Sequence, residues 1–324
     1  MNKAEHWKYI SLTGFSPDTF AADTHATLSH EIPEVLEAKL SSHPLAQLCL
    51  KRTSRSQKII LDKSELFTVT LVGQAQEAIH AYTEILVTRY TQAELVFECS
   101  SADDVSALLN LVTYIRLEEQ AQLTVYYRQT TNAHTYLFHA LWVEQARASQ
   151  YRYYSLDSGG KLAKTDMQCN LNAPEAECHL HGLYVTKGKQ VIAHHNTINH
   201  YHGHCRSSEH FRGIAHDQSK AVFNGKIMIA KDAQQSETQQ INKNLLLSNQ
   251  AEIDTKPELE IYNNNVKATH GATIGALDEQ ALFYLYSRGI DEVTAKALLL
   301  ESFAKEPFVS MSNIAMRETF YEYA

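Results

Sequence analysis

The chain has 324 residues, with 29 Lys and Arg against 37 Asp and Glu, 17 His and 5 Cys; 44% of it is apolar and 20% charged. That is globular material, long enough to bury a substantial core. Its formal net charge of -8 excludes general binding to nucleic acid or anionic lipid, which needs a basic surface. No stretch approaches the roughly 20 apolar residues of a membrane span, and MNKAEHWKYISLTGFSPDTF at the N-terminus lacks a secretory apolar core. Cys49, Cys99, Cys169, Cys178 and Cys205 form no CxxC pair. A reducing, cytoplasmic home is expected, with neither a disulfide framework nor a cysteine metal site. With 12 Gly and 6 Pro, no Rossmann or P-loop glycine signature occurs.

Residues 1–57 read as a helical and irregular region. Ser29 is placed to cap a short helix over HEIPEVLEAKL (30–40), with Pro33 near its start and Val35, Leu36 and Leu40 on one face. KRTSRSQK (51–58) reads as a solvated linker. Residues 58–276 read as a β core. Runs such as KIIL, LFTVTLV, LVFEC, LTVYY, TYLFHALWV and YRYYSL are rich in β-branched and aromatic residues and suit strands. AQEAIHAYTEILV (75–87) and DDVSALLNLVTYIRLEEQ (103–120) have helical spacing instead, the second as a helix carried on the side of a sheet.

Written twenty to a line from Ala221, Asn224, Asn244 and Asn264 share one column and Ile227 and Leu247 another. A period near twenty, with polar corners between short strands, is expected of a parallel β-helix. Corner asparagines tolerate left-handed backbone. Residues 277–324 read as helical. Asp278 caps EQALFYLYSRG, which Gly289 ends; Asp291 or the residues after it open EVTAKALLLESFAK, stopped before Pro307; SMSNIAMRETFYEYA closes the chain. Such helices would cap the stack or dock a partner.

Nine histidines lie between His179 and His216: His179, His181, His194, His195, His200, His202, His204, His210 and His216. On a strand, i and i+2 share a face, so His179/His181 and His200/His202/His204 are candidate imidazole rows for a transition metal. The alternative is a set of histidines on a solvated flank. Cys205 follows His204, but adjacent strand residues face opposite ways, so a buried core thiol is expected there rather than a nucleophile. No acid–base pair stands out, and no catalytic residue is assigned.

The stretch 219–290 closely resembles the SufB/SufD family of iron–sulfur cluster assembly scaffolds. The resemblance is carried by AVFNG (221–225), Gln240 with Asn242-x-Asn244 and LLLS, IDTKPELEIY (253–262), THGATIG (269–275) and LFYLYSRGI (282–290). Upstream, HNTINHYHGHCRSSEHFRGI (195–214) is similar too. The short length and few cysteines place the chain nearer SufD than SufB.

The resemblance implies a right-handed parallel β-helix followed by a helical domain. It also implies a non-catalytic scaffold paired with SufB along the β-helix edge, with the SufC ATPase on the C-terminal helices. ATP-driven SufC dimerisation would move the SufB–SufD interface, where SufB brings persulfide sulfur and SufD supports iron entry. The family's SHGAT histidine falls on His270, which would face a SufB cysteine and hold iron or a nascent cluster. Ala268 and Thr269 stand where the family has Cys and Ser, so Ala268 supplies no ligand; Asn264 and Asn265 replace a common acidic pair. SufC docking would fall on Leu282, Phe283, Tyr286 and Leu298–Leu300, whose other reading is a core stripe. Reduced flavin on the complex and a homodimer in isolation are further expectations. The competing functions are a homodimeric metal-binding module built on the histidines and a β-helix polysaccharide lyase or hydrolase.

Overall fold

In the computed structural model, residues 10–12, 15–22, 32, 33, 36 and 43–323 are described. The helix expected over 30–40 lies almost wholly outside them. The chain is mainly β: parallel strands wind into a solenoid of about 8 turns, a β-helix. One sheet (A) holds β1 (Ala21–Ala22), β2 (Arg55–Leu61), β4 (Glu77–Val87), β6 (Leu108–Leu117), β8 (Tyr136–Gln145), β10 (Leu162–Leu171), β12 (Val191–His200), β14 (Lys220–Ile229) and β16 (Glu252–Ile261). The other (B) holds β3 (Leu66–Gly73), β5 (Gln92–Ser101), β7 (Gln122–Thr131), β9 (Gln150–Gly159), β11 (Glu177–Thr186), β13 (Arg206–Ala215), β15 (Glu237–Leu246) and β17 (Lys267–Gly275).

Among the described residues every strand pairing is parallel, and the core runs between the sheets from Ile59 to Ile253. The register sets Leu162 on Tyr136 and Glu252 on Lys220, so one turn of the coil takes 26–32 residues. The twenty-residue period is therefore corrected. Asn224 pairs in register with His195 and Lys256 on sheet A, Asn244 with Gly213 and Ile274 on sheet B, and Asn264 follows β16 in a bend. The corners do use left-handed backbone, but at Gln76, Tyr90, Asp104, Gln120, Ala148, Glu175, His204, Asp217 and Gln235 rather than at asparagines. Gly159 (φ 89°) serves the corner after β9, where a Cβ would fall 1.8 Å from the Thr131 carbonyl oxygen.

Both segments with helical spacing are strands, β4 and β6. The cause is burial on both faces, which erases alternation. Helix α1 (Pro44–Lys51) lays Ala46 and Cys49 on Tyr82, Val112, Tyr114 and Trp142, while Ile10 and Phe20 cover Ala78, Leu108 and Tyr136. The expected linker is half strand, because β2 begins at Arg55.

The C-terminal helices follow their caps. Asp278 accepts from the backbone N–H of Gln280 at 2.8 Å before α2 (Glu279–Ser287), and Asp291 accepts from that of Thr294 at 3.0 Å before α3 (Glu292–Lys305). The chain then turns through Pro307 into α4 (Ile314–Tyr323). Ala304, Phe308, Met311 and Phe320 pack on Val96, Tyr126, Tyr154, Leu183 and Ile214, the outer face of sheet B. The end of α3, the turn and α4 thus lie along the flank of sheet B.

Candidate functional site

The uncovered end of the solenoid is the place where chemistry gathers. Near the middle, inward side chains are apolar or aromatic: Leu95, Phe97, Leu123, Val125 and Tyr127. Toward the end they become polar yet stay buried: Ser207 and Glu209 on β13, then Thr238, Gln240, Asn242 and Asn244 on β15. Buried polar groups demand partners, and most of these have them. Glu209 accepts from Asn196 Nδ2 at 2.8 Å and from Gln240 Nε2 at 2.5 Å. The Tyr184 hydroxyl donates to Asn244 Oδ1 at 2.6 Å and accepts from Asn242 Nδ2 at 3.0 Å, and Thr255 Oγ1 donates to Asn242 Oδ1 at 2.8 Å.

Burial pushes the Glu209 carboxyl up to about 7, against the opposing pull of the two amide hydrogen bonds. Gly225 makes room for this group. A Cβ there would lie 2.1 Å from Gln240 Nε2 and 2.6 Å from Glu209 Oε2.

The last strand continues the same columns. Ala268 sits in register with Thr238, His270 with Gln240 and Ala272 with Asn242. Parallel register preserves the face, so His270 shares its face with Gln240 and, one rung deeper, Glu209. Among the described residues β16 and β17 end their sheets, each paired on one side only, and His270 is exposed while Ala268 is half-buried. Such an edge is a template for another chain.

The other histidines are dispersed. β12 ends at His200, which is buried and shares a hydrogen bond with Ser207 Oγ at 2.9 Å; burial lowers its pKa to about 4. His202 and His204 are exposed in the following turn, so the expected row of three is corrected: it does not share a strand. His179 and His181 do share the outer face of β11. His179 Nδ1 pairs with Ser208 Oγ at 2.7 Å, while His181 stacks on Tyr154 (centroids 5.2 Å) and meets His210 edge-on at 5.3 Å. His194 is buried beside Asp157 at 3.3 Å, and His195 Nε2 accepts from Asn224 Nδ2 at 3.3 Å. Among the described residues no group of three or more His, Cys, Asp or Glu is gathered to hold a metal ion. Cys205 is buried, its thiol donates to the Ala173 carbonyl at 3.3 Å, and burial pushes it up to about 11, as befits a core thiol.

Helix α2 buries no residue. Phe283 is 73% exposed, Tyr286 38% and Leu298 44%, with Tyr284 and Val293 beside them, whereas Leu282 is half-buried. Leu300 packs toward the sheet B cluster. The polar interior was missed in the sequence, although Thr238, Gln240, Asn242 and Asn244 alternate at i, i+2 and so share one strand face.

Among the described residues no helix is long and apolar enough to cross a membrane. Residues 69–303 match the family described as SUF system FeS cluster assembly, SufBD core domain. A SufBD family iron–sulfur cluster assembly protein of Synechocystis is 36% identical over 197 residues, covering 61% of this chain and 44% of the relative. The iron–sulfur cluster assembly protein SufD of Escherichia coli is 36% identical over 148 residues (46% and 35%), and the chloroplastic protein ABCI7 of Arabidopsis thaliana 30% over 211 residues (64% and 44%). The chain therefore spans less than half the length of these relatives in the matched region. The solenoid, its terminal motifs and these likenesses agree: the chain belongs to the SufBD family of iron–sulfur cluster assembly proteins and is most like SufD.

Proposed function

We propose that this chain is a non-catalytic, SufD-like scaffold subunit that pairs its open edge, β16 and β17, with a SufB-type partner and presents His270 to a thiolate of that partner. The observation that carries the reading is the position of His270: exposed, on a strand that is, among the described residues, the last and singly paired one of sheet B. A strand added to β17 would run about 4.8 Å away. Side chains directly opposite then approach closely enough for an imidazole and a thiolate to share one metal ion. Iron and the growing cluster are cargo in this scheme.

Ala268 supplies no thiol, so sulfur ligands come from the partner or a small thiol. The apolar face of α2 and α3 (Phe283, Tyr286, Leu298, with Leu282 beneath) suits a SufC-type ATPase, whose ATP-driven dimerisation would open and close the edge. A cytoplasmic or plastid setting follows from the kind of complex. The same edge could pair with a second copy of the chain when the partner is absent.

The test is co-expression with SufB-type and SufC-type subunits, purification through this chain, and cluster reconstitution. A stable ternary complex that builds clusters supports the reading; a chain that purifies alone and builds none refutes it. The histidine-rich metal module would instead bind transition metal stoichiometrically without partners.

A further inference from the structure

The geometry points to Gln240 as the positioning residue that orients the His270 ring, with Glu209 holding Gln240 in place. This rests on the reading of His270 above, yet its observable is separate.

Glu209, Gln240 and His270 occupy successive rungs of one inward column, about 4.8 Å apart. Gln240 is fully buried. Its Nε2 is committed to Glu209 Oε2 at 2.5 Å, and Glu209 is held from the other side by Asn196. Those bonds fix which end of the amide is which. Gly225 keeps the space that lets Gln240 and Glu209 meet. Gln240 Oε1 is left buried with no hydrogen-bond partner, an acceptor without a donor in a core that satisfies its neighbours. Nearby donors are already used, since Thr255 Oγ1 serves Asn242 and Asn244 Nδ2 serves Asn242 and the Thr273 carbonyl.

The residue one rung above on the same face is His270. The two side chains make no hydrogen bond in the rotamer shown; with the ring turned inward, its N–H would be donated to Gln240 Oε1, fixing one tautomer and turning the other nitrogen, with its lone pair, to the open edge. Ligating histidines are held in this way, by a hydrogen bond from the nitrogen that does not ligate.

The test is nitrogen and proton NMR of the whole chain alone, at a pH where imidazoles are neutral, with the His270 signals assigned through His270→Gln. The wild type is expected to show one dominant His270 tautomer and a slowly exchanging ring N–H, unusual for an exposed imidazole. Gln240→Leu should speed that exchange at least tenfold and mix the tautomers, while His202 stays unchanged. The double exchange Glu209→Gln with Gln240→Glu keeps a donor–acceptor pair and an acceptor below His270, and should restore the signal. A wild-type His270 with a fast-exchanging, mixed ring overturns the proposal without any variant. So does a Gln240→Leu protein, folded by its spectrum, in which His270 is unaltered. If those ring signals behave as expected while cluster yield ignores His270, the functional reading fails and the positioning stands. If cluster yield needs His270 but the ring is free, only the positioning fails.

Discussion

Glu209 is a carboxyl that the solenoid buries with no lysine or arginine hydrogen-bonded to it among the described residues, and its ionisation shapes stability. Its pKa rises from 4.5 to about 7, so the folded state holds the proton more tightly than the unfolded chain. That contribution is complete below the unfolded value and is lost as pH rises through the folded one. The difference corresponds to about 3 kcal/mol. Glu209→Gln is expected to gain on the wild type in urea midpoint as pH rises between about 5 and 8; a difference between the two proteins that does not change with pH would contradict the placement. Gly225→Ala should destabilise by roughly 2 kcal/mol, since its Cβ pushes aside the tips of Gln240 and Glu209 and so disturbs the buried hydrogen bond between them, and the same urea titration checks it. At this scale the motif singles out His270 as a candidate, but the column beneath it is not legible in the sequence. Gln240 and Asn242 look like surface residues until the register shows which face they occupy.

At the scale of elements, local chemistry was readable where it was decisive. Asp278 and Asp291 announce the helices they cap, and both caps form. β4 and β6 were misread because Ala46, Cys49, Ile10 and Phe20 cover their outer face, leaving no period of two. The coil period was misread because corner lengths vary, so rungs of 26–32 residues defeat a fixed alignment. Phe308 joins α3 and α4 to sheet B, fully buried and edge-on to Phe320 at 5.0 Å. Phe308→Ala should cost about 3–5 kcal/mol and loosen the C-terminal helices first. Limited proteolysis should then cut between 290 and 323 before the solenoid; simultaneous cutting would argue that the helices do not unfold separately.

For the whole molecule, buried imidazoles set the acid side of the stability curve. Burial lowers His80 to about 4, His139 to about 3 and His200 to about 4. Their folded values lie below the ordinary 6.5, so the unfolded chain takes up these protons first, and their stabilisation is lost as pH falls from 6.5 through 4. With three imidazoles set against the single Glu209 carboxyl, stability should rise from about pH 4 and level off near pH 7 to 8, a profile that thermal unfolding across pH would show or refute. The C-terminal residues from Leu300 onward pack on the flank of sheet B, and among the described residues no strand pairs with the outer edge of β16 or β17.

That open end can be tested through His270 itself. In a reconstituted complex with SufB-type and SufC-type subunits, His270→Ala should leave the complex fully assembled, by size and stoichiometry, while the yield of iron–sulfur cluster falls several-fold. An assembled complex that builds clusters at the wild-type level would contradict the account.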